Sequence, residues 1–361
     1  MKKVTITDVA KEARVSIKTV SNVINDAGSM RPETRQRVKD TIARLGYTVN
    51  YSARSLKTGM TKLVGLAVMD FDQPWASMYA GEIIKAARKR GYGVVIDTYG
   101  GGGLDSIIAE TYRVNADGWI YYPDRPLADG GRVLKQRYPI VLTGESLSHG
   151  LVDSVTMPNF QPIREITAML IGQGVECVGL IGAPDDLVRE GRLGDVLALR
   201  EGTRQLRTQG YYRAFADAGA VVDTDVIVGD ERWDVNGGIR GAVHLLSVPA
   251  FRDARSRAVV CLNDALALGA LHAFKEHGWR IPDDVQISGF DDIEESRHCD
   301  PALTTVNSHL DRYAEYAVDM LIERIMGDTR AVRAVSTDYV IERRGTTTFG
   351  AVRSGAAGGL S

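Results

Sequence analysis

Apolar residues return along this chain at two different periods. Over the first 46 positions the period is helical: Ile6, Val9, Ala10 and Ala13 share one face, then Val20, Val23 and Ile24, then Val38, Ile42 and Leu45. Thr5, with Asp8 three residues on, has the spacing of a capping box. Ser16 can cap a second helix, and Val15 before it stands where a hydrophobic staple would meet Val20. Pro32 in a first turn and Gly46 after the last apolar residue bracket a third. Three short helices around a few small apolar side chains predict a headpiece over residues 1–49.

From residue 62 the texture changes to apolar runs alternating with amphipathic stretches. Residues 63–69, 93–98, 117–122, 177–181, 225–228, 258–262 and 285–289 read as strands, and 77–90 as a helix. That alternation predicts parallel sheets with helices on both faces. Roughly 280 residues exceed one core of this kind, so two similar lobes are expected over 62–345, with a ligand at the carboxyl ends of their strands. Between headpiece and lobes, 50–61 can form a helix of about two turns, too short to be stable alone. Residues 346–361, rich in Gly, Ser and Ala, read as a disordered tail without the leucine heptads that would tie dimers into tetramers.

Charge is distributed unevenly. The first 62 residues carry 13 Lys and Arg against 5 Asp and Glu, and the remainder 31 against 41, so a formal net charge of −2 conceals a basic head on an acidic body. A polyanion partner at the amino-terminal end is implied. With 44% hydrophobic and 25% charged content, the 361 residues suit a soluble protein of two or three domains. No run of 18 apolar residues exists to span a membrane, and Met1-Lys2-Lys3 leads into alternating polar residues rather than a signal segment. A cytoplasmic protein is expected. Cys177, Cys261 and Cys299 are far apart and two lie in apolar runs, the pattern of reduced buried thiols. The histidines show no metal spacing, no nucleophile has a visible base partner, and the glycines at 100–103 lack the lysine and serine of a phosphate loop. Neither an enzyme nor a cofactor is expected.

Packing alone does not account for one face of the second helix. It carries Ile17, Lys18, Ser21 and Asn22, all pointing away from the apolar side. A solvated surface suits the last three and leaves Ile17 wet. The major groove of DNA suits all four, because an apolar side chain can meet a thymine methyl, an amide a base edge and an amine the guanine acceptors.

The chain resembles the LacI (LacI/GalR) family of transcriptional regulators over nearly its whole length. The likeness rests on the helix pair at 5–25, Arg54-Ser55-Leu56, Asn263-Asp264-Ala265-Leu266-Ala267-Leu268-Gly269, Gly289-Phe290-Asp291-Asp292 and Pro301-Ala302-Leu303-Thr304-Thr305-Val306. It implies an α/β core of two periplasmic-binding-protein-like lobes with parallel sheets, preceded by an all-α helix-turn-helix headpiece and a short hinge helix. It also implies a homodimer on double-stranded operator DNA, a repressor first of all, controlled by a small-molecule effector. DNA contacts then fall to Thr5, Ser16, Ile17, Lys18, Thr19, Ser21, Asn22 and Asn25, of which Ile17, Lys18 and Asn22 read bases. In the hinge they fall to Asn50, Ala53 and Leu56, with Leu56 a minor-groove wedge. Ligand contacts fall to Trp75, Arg207, Trp233, Asn263 and Asp291: two aromatic faces, a gripping guanidinium, an amide, and a carboxylate able to bridge two adjacent hydroxyls. A sugar fits that set best, with a nucleoside or purine as the alternative. A solute-binding protein would share the cleft but would need an export signal and no headpiece.

Three places depart from the family pattern. Arg14 stands in the turn between the first two helices, where Gly or Asn takes φ > 0 more comfortably. The segment 185–205 is longer than usual and is interrupted by Gly191, Gly194 and Gly202. Met157-Pro158-Asn159 replaces a common valine-aspartate-asparagine, which predicts a changed polar contact or crossover between the lobes.

Overall fold

The computed structural model describes residues 4–24, 26–47, 59–111, 113–230 and 232–349. The described residues form two compact units that part between Thr61 and Lys62.

The first unit holds α1 (Ile6–Glu12), α2 (Ile17–Ile24) and α3 (Pro32–Leu45). Thr5 and Asp8 make the reciprocal capping box, and the Thr19 N–H donates to Ser16 Oγ at 3.1 Å. Val9, Ala10, Ala13, Val20, Val23 and Val38 form the core, with Val15, Ile24, Ile42 and Leu45 packed against it. Arg14 does adopt a left-handed φ of 53°, which lets the Val15 N–H reach the Ala10 carbonyl at 3.0 Å. A non-glycine residue there costs about 1 kcal/mol, a strain the surrounding helix pair imposes. Gly46 ends α3 at φ 61° without that cost.

The second unit begins with β1 (Leu63–Val68), α4 (Pro74–Lys89), β2 (Gly93–Thr98), α5 (Leu104–Thr111), β3 (Gly118–Tyr121), β4 (Ile140–Thr143) and β5 (Asp153–Thr156). It continues into a second lobe through α6 (Phe160–Gly172), β6 (Cys177–Ala183), α7 (Asp185–Arg189), α8 (Thr203–Asp217), β7 (Ile227–Gly229) and α9 (Val235–Ser247). There follow α10 (Pro249–Arg252), β8 (Arg257–Cys261), α11 (Asp264–Glu276), β9 (Gln286–Ser288) and α12 (Glu294–His298). The end of the chain returns through β10 (Thr305–Asn307), α13 (Leu310–Ile325), β11 (Ala334–Ser336) and β12 (Val340–Glu342). One parallel sheet runs β11-β5-β4-β3-β1-β2 and the other β7-β6-β8-β9, while β10 and β12 pair antiparallel. The chain therefore crosses between lobes after β5, after β10 and after β11. Strand order reverses at β1 in one sheet and β6 in the other, the points where an open α/β sheet offers a crevice at its carboxyl edge.

Most predicted strands lie within two residues of the observed ones, with two informative exceptions among the elements. The helix expected at 77–90 starts at Pro74, whose fixed φ suits a first turn, so Trp75 stands on a helix rather than in a loop. Residues Thr224–Val226 close a 3₁₀ turn, with the Asp225 N–H donating to Asp223 Oδ1 at 2.9 Å, and the strand begins only at Ile227. Of the three cysteines, all free, Cys261 is buried and the others partly so. Among the described residues no helix is long and apolar enough to cross a membrane, and no group of His, Cys, Asp or Glu could hold a metal ion.

Close packing in the first sheet gives a direct test of the fold. Gly65 on β1 lies opposite the fully buried Trp119 on β3, and a Cβ added there would stand 2.2 Å from the indole ring. Gly65→Ala should destabilise the second unit by about 1–3 kcal/mol through overpacking, measured as a lower urea midpoint with an unchanged slope.

Candidate DNA-reading face and effector cleft

The headpiece presents the face that its sequence predicts. Val20 and Val23 are buried, whereas Ile17 is 48% exposed, Lys18 is exposed, and Ser21 and Asn22 are half-buried on the opposite side. Gly28, at φ 76°, lies against the Asn22 side chain, where a Cβ would stand 2.9 Å from Nδ2. The hydroxyls of Thr5, Ser16 and Thr19 sit at the amino ends of α1 and α2, where Thr5 Oγ1 donates to Asp8 Oδ2 at 2.7 Å and Ser16 Oγ and Thr19 Oγ1 lie 2.9 Å apart. Asn25, Asn50, Ala53 and Leu56, and with them most of the expected hinge, lie outside the described residues.

In the second unit, the predicted ligand residues converge on the carboxyl ends of the strands. Trp75, in the first turn of α4, stacks on Tyr79 with centroids 5.1 Å apart and meets Tyr122, just past β3, at 4.8 Å. From the facing lobe, α8 delivers Arg207, which is 3% exposed. Its Nε donates to Asn159 Oδ1 at 2.6 Å, one Nη to the Leu262 carbonyl, and the other to Asp291 Oδ1 at 3.3 Å. The guanidinium carbon lies over the Phe290 ring, 3.4 Å from its centroid. Asp291 itself has φ 110°, held by its N–H on the Val306 carbonyl at 2.9 Å. Asn159, in the segment that departs from the family pattern, thus anchors the crossover to the guanidinium.

Trp233 and Asn263 form the adjoining wall in a more committed way than the sequence suggests. Trp233 holds φ 54°, an outlier for so large a residue, with its N–H on Asp230 Oδ1 at 2.7 Å and its indole N–H on the Gly182 carbonyl at 2.7 Å. Asn263 caps α11 by accepting from the Leu266 N–H at 2.9 Å and donates to the Trp233 carbonyl at 2.9 Å. Its amide therefore aims Trp233 and starts a helix, and does not stand idle for a ligand. The guanidinium groups of Arg204 and Arg207 lie 5.2 and 5.4 Å from the Trp233 ring.

Sequence reading overlooked Glu145 and Tyr122. Both follow first-lobe strands, β4 and β3, and that position at a carboxyl edge was the available signal. Glu145 Oε1 accepts from the Met157 N–H at 2.9 Å, and the Arg207 charge is near enough to stabilise it. Burial nevertheless pushes its carboxyl up to about 7, against the opposing pull of Met157, Arg207 and Asn159. Asp291 is pushed up to about 6 by burial, with Arg207 limiting the rise. Burial likewise lifts the Tyr122 hydroxyl to about 12 and draws Arg207 below its ordinary value. The Arg207 guanidinium thus bonds the second-lobe carboxyl and lies within electrostatic reach of the first-lobe one.

Comparison with known proteins agrees with this division of the chain. Residues 5–50 match the bacterial regulatory proteins of the lacI family, and residues 167–347 match the periplasmic binding protein-like domain. A ribose operon repressor of Haemophilus influenzae is 28% identical over 92% of this chain and 95% of its own. The HTH-type transcriptional repressor PurR of Escherichia coli O139:H28 is 31% identical over 94% of this chain and 96% of its own. A solved LacI-type transcription regulator from Bifidobacterium animalis subsp. lactis is 40% identical, covering 79% of this chain and 99% of that one at a TM-score of 0.73.

The two raised carboxyls fix a sign for pH dependence. Each holds its proton more tightly folded than unfolded, so their contribution to stability is full below the unfolded carboxylate range and is lost as pH rises toward 7. The melting temperature of the second unit should fall between pH 5 and pH 8. Glu145→Gln, which keeps an acceptor for Met157 without the charge, should flatten that slope and raise the melting temperature at pH 8; parallel curves for parent and variant would contradict it.

Proposed function

The chain belongs to the LacI family of bacterial regulatory proteins and is a DNA-binding transcriptional regulator rather than an enzyme, and on that premise we propose a cytoplasmic, homodimeric repressor whose effector is a sugar. The observation that carries the choice of effector is the pair of carboxyl groups within reach of Arg207, beside the Trp75 and Trp233 faces. In their ionised form these carboxylates only accept hydrogen bonds, with about four acceptor positions each, so a ligand rich in donors around a compact ring would satisfy them and favour that form. A polyol has hydroxyl donors on every side and apolar C–H faces for the tryptophans. The relative described as a ribose operon repressor supports the same class.

In this reading Ile17, Lys18 and Asn22 read major-groove bases, and Thr5, Ser16, Thr19, Ser21 and Asn25 hold the phosphate backbone nearby. Asn50, Ala53 and Leu56 act in the minor groove, with Leu56 as the wedge. Arg207 and Asp291 grip the sugar while Asn263 holds Trp233 in position.

Two measurements test the proposal. A thermal-shift panel of monosaccharides, disaccharides, polyols and nucleosides should yield a sugar hit, since a ligand at one hundred times its dissociation constant stabilises by about 2.7 kcal/mol. A nucleoside hit with no sugar response sinks the sugar assignment. With the hit in hand, Asp291→Asn should weaken its binding by roughly one to two orders of magnitude, the size of a lost hydrogen bond to a charged group, while ligand-free operator affinity stays unchanged. On the DNA side, replacing Lys18 and Asn22 together should change the preferred operator in a binding-site selection, at about 1–3 kcal/mol per lost base contact. An identical selected site would remove those residues from base reading.

A further inference from the structure

The segment between β6 and α8, which departs from the pattern of the family it resembles, belongs to the second lobe for most of its length. Leu193 and Val196, in the 3₁₀ turn Leu193–Ala198, are buried in that lobe's core. Gln209 Nε2 on α8 donates to the Val196 carbonyl at 2.6 Å and the Leu199 carbonyl at 2.7 Å, which staples the segment down. Its last residues then leave the lobe. The Leu147 N–H donates to Glu201 Oε2 at 2.9 Å, and the Gly202 N–H donates to the Glu145 carbonyl at 2.9 Å. The Tyr122 hydroxyl lies beside Thr203. Gly202 makes the exit at φ 95°, where a Cβ would stand 2.1 Å from the Gln205 side chain.

All three first-lobe partners belong to the cleft wall or adjoin it: Glu145 and Tyr122 face Arg207, and Leu147 lies two residues beyond Glu145. We propose that residues 199–203 are a clasp that holds the first-lobe wall of the effector cleft against the second lobe, with Glu201 as the positioning residue that fastens it. Closure of the cleft is then built into the chain on this flank, and an effector enters and leaves by way of the opening that release of the clasp permits. The inference takes from the proposed function only that the cleft is the effector site.

Hydrogen exchange on the full-length, unliganded protein tests the clasp. Glu201→Ala removes the acceptor for Leu147, so the Leu147 and Gly202 amides should exchange roughly ten-fold faster, as expected for loss of a hydrogen bond to a charged group. The Trp233 amide, on a cleft wall that Glu201 does not touch, should lose protection as well, while the buried strand amides of Trp119 and Ile120 should not change. Glu201→Gln, which retains an acceptor oxygen, should keep most of the parent's protection. A response confined to Leu147 and Gly202 would make Glu201 a local contact and overturn the proposal, as would equal exchange in parent and Glu201→Ala. Because no ligand is added, a thermal-shift panel without a sugar hit would sink the sugar reading and leave the clasp standing.

Discussion

The cleft depends on where one guanidinium is placed. Arg207 is almost wholly removed from water, and a charge in that position is costly unless its donors are met. Its partners come from three segments: the lobe crossover at Asn159, the end of β8 at Leu262, and the loop after β9, which supplies both the Asp291 carboxylate and the Phe290 ring. A buried pair of this kind adds little net stability over a well-packed apolar core. Its physical effect is to fix geometry, since no one of the three segments can shift without leaving a buried charge unmet. A planar fork suits that task where a flexible ammonium would not.

The same economy of partners explains the two carboxyl groups. One guanidinium cannot neutralise both Asp291 and Glu145, and burial raises both toward the neutral form. A ligand that supplies hydroxyl donors to these groups favours their ionised forms, so binding and proton release are linked. Strain points to the same wall: Trp233 and Asp291 both hold positive φ, and each is fixed by backbone hydrogen bonds.

The headpiece was legible almost in full because its signals are local. A cap, a staple and a helical period are each set by residues within one or two turns of one another. The strands of the lobes were legible for a similar reason, as short apolar runs between amphipathic stretches. The site was legible only where a motif carried it. Asp291 and Arg207, each expected to face a ligand, bond one another, and Asn263 caps a helix while its amide serves Trp233. Glu145, Tyr122 and Glu201 were not found, since an isolated acid or tyrosine after a strand is ordinarily a solvated loop residue. What makes them part of a site is the convergence of loops far apart in sequence, and periodicity carries no information about that.

An effector can shift a protein between states only by as much as it prefers one of them. The contacts by which the lobes meet across the cleft include Gln73 Nε2 on the Arg232 carbonyl at 2.6 Å, the Arg232 guanidinium with Asp72 at 3.5 Å, Leu147 with Glu201, and Gly202 with the Glu145 carbonyl. Ordinary hydrogen bonds contribute about 0.5–1.5 kcal/mol each, and one to a charged group about 1.5–3 kcal/mol. The set therefore amounts to a few kcal/mol before the entropy of ordering the loops is subtracted. Moving a two-state equilibrium from one side to the other takes about 5.5 kcal/mol of differential binding. Contacts of this total size hold the lobes together without locking them. A small polar ligand, making several charge-assisted hydrogen bonds in one arrangement and fewer in the other, has enough free energy to decide between them.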